Sequence, residues 1–335
     1  MKILTKRRFY FSLLIYSLFS LICFFAALVM GQEDVGILKI LKSLFLASPD
    51  RETGIFLYQR LPRVIMAFIA GGTFAVTGYA YQVVFRNSLA GPYTTGVTSG
   101  GTLGAVMALS FPSLQLSFAF FSSVQIFSII GSGLVILCIL LITKRNRDSI
   151  NSILLTGVSF GILISAFVML VRYLLSPNIL VVVDRWMMGG LSVSGFQEIA
   201  GVFTFLMPGL FMLFMQIAKM NYLVSGREAA LSRGINPDTV HLYLLLGGTL
   251  ATASVVSVVG PIAFVGLMVP HIIKMISGYD ARIGMPASFL FGGAFLSVCD
   301  AVSRIIIAPS ELPAGILTAF IGGIYFIYLV NRKKK

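Results

Sequence analysis

The sequence predicts an all-α, polytopic membrane protein of about ten transmembrane helices with a short helix on its cytoplasmic face. Three observations carry that reading. Of 335 residues, 57% are hydrophobic and only 11% charged, too little polar surface to cover a water-soluble fold. The apolar residues fall in blocks long enough to cross a hydrocarbon core, where a backbone must satisfy its own hydrogen bonds and so becomes helical. The charges, which sum to +13, lie between those blocks. They form no basic stripe interleaved with aromatics, so no nucleic-acid partner is implied.

A span needs roughly 20 apolar residues, fewer where neighbours shelter it. Candidate spans run 9–30, 61–85, 93–111, 118–142, 150–174, 196–219, 238–259, 262–276, 284–307 and 313–330. The first follows Lys2, Lys6, Arg7 and Arg8. It is long for a signal peptide and lacks a small-residue cleavage site, which predicts a retained span. The eighth is short and directly follows Gly260-Pro261. With an even span count and the N-terminus inside, both termini are cytoplasmic and the inner segments collect most of the 25 basic residues.

The one long external segment, 31–59, carries Val35, Ile37, Leu38, Leu41, Leu44 and Phe45 in rows that suggest an amphipathic helix along the outer surface. Arg60-Leu61-Pro62-Arg63 follows, two arginines at an outer helix entrance. They either snorkel to headgroups or form a cationic rim for an acidic partner. Gly96, Gly100 and Gly104 recur every four residues, as do Gly157, Gly161 and Ser165, a spacing that packs helix backbones closely. Asp300 and Arg304 lie one turn apart inside the ninth span, facing each other or a cavity. Asp184 and Arg185 precede the single tryptophan, Trp186, placed as an interfacial anchor.

The polar stretch Ser225 to Asn236, SGREAALSRGIN, is wedged between two apolar blocks. It reads as a short helix closed by Gly234, whose missing Cβ permits a left-handed cap. On the inner face such a helix is a handle for a soluble partner; the alternative is an ordinary inter-helix loop. His241 and His271 are isolated, and Cys23, Cys138 and Cys299 are scattered in apolar segments without metal-ligand or disulfide spacing. There are no paired carboxylates, no nucleophile beside a base and no GxxxxGK[ST] loop, so catalysis, a bound cofactor or metal, and ATP binding by that loop are not expected.

Several segments resemble one family: RLPR at 60–63, NSLAGPYTTGVTSGG at 87–101, WMMGG at 186–190, GREAALSRGI at 226–235, VVGPIAFVGLMVPHIIKMISGYDAR at 258–282 and ELPAGILTAFIGGIYF at 311–326. From about residue 60 onward the chain is similar to the FecCD-type permeases of type II ABC importers for siderophores, haem and vitamin B12. The resemblance implies a single permease domain, 1–335, with a coupling loop at about 220–237. It implies a second permease subunit, identical or related, two cytoplasmic ATPase subunits, and an external substrate-binding protein. Arg227, Glu228, Ala229, Ala230, Leu231, Arg233 and Gly234 then form the ATPase-coupling helix, matching the importer pattern EAAxxxG but not the Ile-x-Leu-Pro that commonly follows it. Arg60, Arg63 and Arg304 match positions that meet glutamates on the binding protein. Ser149, Ile150 and Asn151 fall where related permeases narrow the inner end of the path.

Two departures stand out. Ser88 and Gly91 replace a proline and an acid common in the family, and Asp280-Ala281-Arg282 replaces Asp-His-Arg. The expected function is inward translocation of a bulky metal chelate across a bacterial or archaeal cytoplasmic membrane, iron-siderophore first, with vitamin B12 or haem as alternatives. An ion-coupled secondary transporter is the competing class, with Asp300 as its only plausible relay carboxylate.

Overall fold

The computed structural model describes residues 6–31, 51–114, 121–144, 150–193, 195–307 and 309–332. The amphipathic helix expected within 31–59 lies largely outside them. The helices are α1 (Lys6–Val29), α2 (Leu61–Val84), α3 (Val97–Ser110), α4 (Ser123–Lys144), α5 (Ile150–Leu174), α6 (Pro177–Met187), α7 (Gln197–Met215), α8 (Ile217–Val224), α9 (Arg227–Leu231), α10 (Pro237–Val259), α11 (Val265–Ser277), α12 (Ala281–Ile306) and α13 (Ala314–Arg332). A helical lead-in, Arg51–Ile55 and a π-helical turn Phe56–Arg60, runs straight into α2.

Each of the ten expected spans coincides with a helix. Seven are long and apolar enough to cross a membrane, and α3, α11 and α13 are shorter apolar helices. Three features differ from the sequence expectation. The third span starts at Val97 and not near 93, because Gly96 adopts φ +74°, a left-handed conformation that stops a helix from forming upstream. The sixth breaks at Gln216, whose N–H turns back to the Leu213 carbonyl at 3.1 Å, and the chain restarts as α8. The α6 helix, between the fifth and sixth spans, has no counterpart among the expected elements.

The bundle is built around α2. The span containing it is 89% buried, against 17% for the span in α5 and 22% for that in α1. α2 packs on α12, α11, α10 and α1, while α3 pairs with α4 and α10 with α7. Glycine sets these distances. A Cβ on Gly71 would strike the Gly292 carbonyl, one on Gly78 the Gly266 carbonyl, and one on Gly293 would lie 2.7 Å from the Phe68 carbonyl. The first small-residue row packs as its spacing predicts, and of the second only Gly157 makes a close backbone contact, Gly161 meeting only Ser99 Oγ at 3.5 Å and Ser165 being exposed. Gly100 lies against Gly131, Gly104 against the Phe127 carbonyl, and Gly157 against Thr95. Trp186 is half-buried, one side packed against the main core cluster.

The contact geometry yields a matched pair of substitutions. Gly78→Ala forces its methyl into the Gly266 carbonyl and should cost about 1–3 kcal/mol of stability. Gly133→Ala meets nothing within 4 Å and should be neutral or slightly stabilising. Thermal unfolding midpoints of the detergent-solubilised variants check both.

Candidate functional site

Three regions hold the polar chemistry, one at each end of the bundle and one at mid-depth. At one end sits α9. Gly226 (φ +123°) turns the chain out of α8, and Gly234 (φ +74°) turns it back toward α10, as the sequence predicts for a glycine cap. Ala230 is buried, and the Ile235 N–H bonds its carbonyl at 3.1 Å. The Arg227 guanidinium grips both oxygens of Asp238 at 2.8 and 2.9 Å, a bidentate geometry that fixes direction even at an exposed site. Arg233 stacks over the Tyr222 ring, 4.8 Å from its centroid. Asn236 caps α10 by accepting from the Asp238 N–H at 3.0 Å. With those side chains engaged, Glu228, Leu231 and Ser232 face outward, Leu231 half exposed.

The α8 helix beneath is fastened on two sides. Arg86, itself in a left-handed conformation (φ +48°), donates to the Leu223 carbonyl at 3.1 Å, a cation at a helix C-terminus. On the other side the Asn221 amide donates to Asp280 at 2.8 Å and accepts from the Ala281 N–H at 2.8 Å. Asp280 caps α12 and also receives Arg282 at 2.9 Å. Burial pushes the Asp280 carboxyl up, but donors from Arg282 and Asn221 outweigh it and hold the group below the ordinary carboxylate range. Its contribution to stability is therefore full above the unfolded carboxylate pKa and is lost as pH falls through the lowered one.

At the opposite end lies a carboxylate–arginine knot. Asp300 is buried and takes Arg63 through Nε and Nη2 at 2.9–3.1 Å, with Arg304 Nε 3.4 Å from its other oxygen. Arg304 also donates to the Ala27 carbonyl at 3.0 Å, which ties in α1. The remaining arm of Arg63 meets Glu311 at 2.7 Å. Arg60 is buried one turn earlier, its guanidinium against Gly31. Of the three arginines expected on a rim, Arg60 and Arg304 are thus inside the protein, while Arg63 is 15% and Glu311 47% exposed. Glu311, within ELPAG, has no role that its own sequence neighbourhood signals. Asp300 and Arg63 stand 237 residues apart, and such a separation hides the grouping that Glu311 joins.

Between the ends, two stretches of non-helical backbone meet. α3 and α11 hold 14 and 13 residues, about 20 Å each and too short for a hydrocarbon core of about 30 Å. The segments before them, 85–96 and 260–264, fill the difference. The first of them packs on the opening turn of α11, Pro92 on Gly266 and Gly91 on Leu267, opposite Phe74 in the middle of α2. A narrow cleft there is lined by Phe74, Tyr93, Thr98, Ile262, Phe264 and Leu267. Irregular backbone at that depth survives only if protein satisfies it. Thr94 Oγ1 accepts from the Gly91 N–H at 2.9 Å, Thr95 Oγ1 donates to the Pro92 carbonyl at 3.1 Å, and the Gly190 N–H reaches the Val259 carbonyl at 2.9 Å. Phe264 sits at φ +66°, a strained conformation for a bulky side chain. Of the expected inner gate, Ser149 lies outside the described residues. Ile150 and Asn151 open α5, with side chains likewise outside the description. No group of three metal-ligating side chains occurs among the described residues.

Removing the knot's carboxylate should be far worse than removing its rim partner. Asp300→Ala leaves two guanidiniums facing each other in a buried site and should cost about 3 kcal/mol or more. Glu311→Gln, at an exposed pair, should cost under about 1 kcal/mol. Unfolding midpoints in detergent separate the two.

Comparison with known proteins places these features in a family. The family model described as the FecCD transport family matches residues 18–332. The hemin transport system permease HmuU of Yersinia pestis is 32% identical over 92% of this chain and 93% of its own. The cobalamin import system permease BtuC of Halobacterium salinarum is 33% identical over 82% of this chain and 73% of its own. A solved structure described as an inward-facing conformation of a metal-chelate type ABC transporter superposes with a TM-score of 0.81, at 25% identity over 96% of this chain and 98% of that one. The family match takes in the second half of the first span, the other nine spans and both polar ends. This multi-pass membrane chain belongs to the FecCD transport family and is an ABC importer permease, not an enzyme.

Proposed function

We propose that this permease carries a bulky metal chelate into the cytoplasm, iron-siderophore first among them, with α9 as the helix that receives force from a separate ATPase. The observation that carries this reading is the built pose of α9. Two positive-φ glycines, the Arg227–Asp238 clamp and the Arg233–Tyr222 stack present Glu228, Leu231 and Ser232 outward from an otherwise apolar bundle. Ala229, Ala230 and Gly234 give that helix its tight underside.

The α9 end faces the cytoplasm together with both termini, in keeping with the basic residues that gather there. Two ATPase subunits dock below. A second permease subunit, a copy or a relative, completes the path, and the largely unburied face of α5 offers apolar surface for it. An external binding protein meets the opposite end. Arg63 is the arginine positioned to touch that partner's acidic groups, while Arg60 and Arg304 hold the rim from within. Ser149, Ile150 and Asn151 remain the candidate inner gate. ATP binding closes the ATPase pair and moves α9, and the two permeases rock around the mid-depth cleft. Cargo passes along the path between the two subunits, held by shape and weak contacts.

Haem and vitamin B12 are the alternative cargoes, supported by the hemin and cobalamin relatives. The ion-coupled alternative is weakened, since Asp300, its relay carboxylate, is held between Arg63 and Arg304.

Co-purification with the candidate ATPase tests the reading. Wild type should retain the ATPase, and Glu228→Arg should weaken retention about tenfold. A wild-type permease that holds no ATPase would sink it. Uptake of ferric siderophore, hemin and cobalamin into proteoliposomes of the assembled complex then sorts the cargo.

A further inference from the structure

One long element joins the two polar ends. α12 holds 26 residues, about 39 Å of helix, with Asp280 at its N-cap and Asp300 near its far end. It is locked along α2 by reciprocal glycine contacts. Gly71 packs on the Gly292 carbonyl and Gly292 on the Gly71 carbonyl, so the two backbones lie in close contact with no side chain between them. Arg63 on α2 and Asp300 on α12 close one end of this body. At the other end two polar grips reach α8. Arg86, just past α2, holds the Leu223 carbonyl, and Asp280, capping α12, holds Asn221.

α8 is the segment that carries α9. It has eight residues, a break at Gln216 on one side and Gly226 on the other, so its own chain connections do little to fix its direction. Met220 and Leu223 bury one face of it in the core, and the polar ties at Asn221 and the Leu223 carbonyl join it to the two long helices. The Asn221 bond is doubly made, donor to Asp280 and acceptor from the Ala281 N–H, and this suits it to define an angle as well as a distance.

From this geometry we infer that Asn221 and Arg86 are positioning residues that clamp α8, and through it α9, to the α2–α12 body, so that a push on α9 reaches the Asp300 knot as a rigid displacement. The inference rests on the coupling role assigned to α9 above. Neither residue belongs to the outward face of α9, so neither is needed for the ATPase to dock. Both are needed for docking to be felt at the far end of α12.

The test uses the assembled complex of permease, ATPase and cargo-free binding protein in nanodiscs. Two quantities are read: ATPase retained on the permease, and the stimulation of ATP hydrolysis when the binding protein is added at the opposite end. Asn221→Asp sets a second carboxylate against Asp280. It should keep retention within about twofold yet lower the stimulation about fivefold or more. The swap, Asn221→Asp with Asp280→Asn, restores a donor–acceptor pair of reversed polarity. The amide it places at position 280 can still cap α12, so the swap should recover most of the stimulation. Arg86→Gln should lower stimulation in the same way and serves should Asn221→Asp fail to assemble. Unchanged stimulation in Asn221→Asp or Arg86→Gln with ATPase bound overturns the inference, as does a swap that recovers nothing. Loss of ATPase retention in Asn221→Asp alone also overturns it, since the residue would then belong to the docking surface. Absence of ATPase from the wild type would instead overturn the coupling role of α9.

Discussion

How closely α2 can approach its neighbours sets the rest of the structure. In lipid no hydrophobic force drives one apolar helix onto another, so packing must come from close contact of backbones. Gly71, Gly72, Gly78, Gly292 and Gly293 supply it by leaving no Cβ between α2 and α12 or α11. The same closeness brings Arg63 to 2.9 Å from Asp300 across 237 residues of sequence. It also brings Gln82 to the Leu267 carbonyl at 3.1 Å and Lys274 to Gln82 at 2.8 Å. Polar groups that would be intolerable alone in a bilayer are paired because the backbones permit it.

That close-packed body shelters what a membrane otherwise forbids. The segments 85–96 and 260–264 are not helical, yet they sit beside the middle of α2. Their threonine hydroxyls, glycines and prolines, which in water would mark a surface loop, here close hydrogen bonds locally so that little backbone is left to solvate. Broken helices facing each other at mid-depth are the arrangement by which many transporters build a passage. Phe264, strained at φ +66°, lines the cleft there and packs against Gly322 of α13.

The polar ends contrast in what they offer to partners. At the α9 end, arginines are consumed in holding the helix still, and the free face is Glu228, Leu231 and Ser232. At the other end, Arg63 and Arg304 are engaged by Asp300, and within this knot the exposed charge is Glu311 with the edge of Arg63. In both cases arginines of a cationic stretch are tied into the scaffold and leave a small, oriented contact face. Orientation is what such a face contributes, since single exposed ion pairs add little affinity.

The sequence by itself determined the class of molecule, the ten apolar helices, the short α9 with its glycine cap and the rows of small residues. These follow from length, composition and local φ preference, which act over a few residues. Tertiary structure decided the pairing of charges. The Asp300–Arg304 pair is visible in the spacing, but Arg63 reads as free in one dimension, because Asp300 and Glu311 lie far along the chain and only packing brings them near. It also decided that one helix starts only after Gly96 and another breaks at Gln216, since an apolar run looks the same whether it continues as helix or bends into a sheltered loop. And it placed Asn221, a residue with no signature of its own, between two segments whose closeness no spacing encodes.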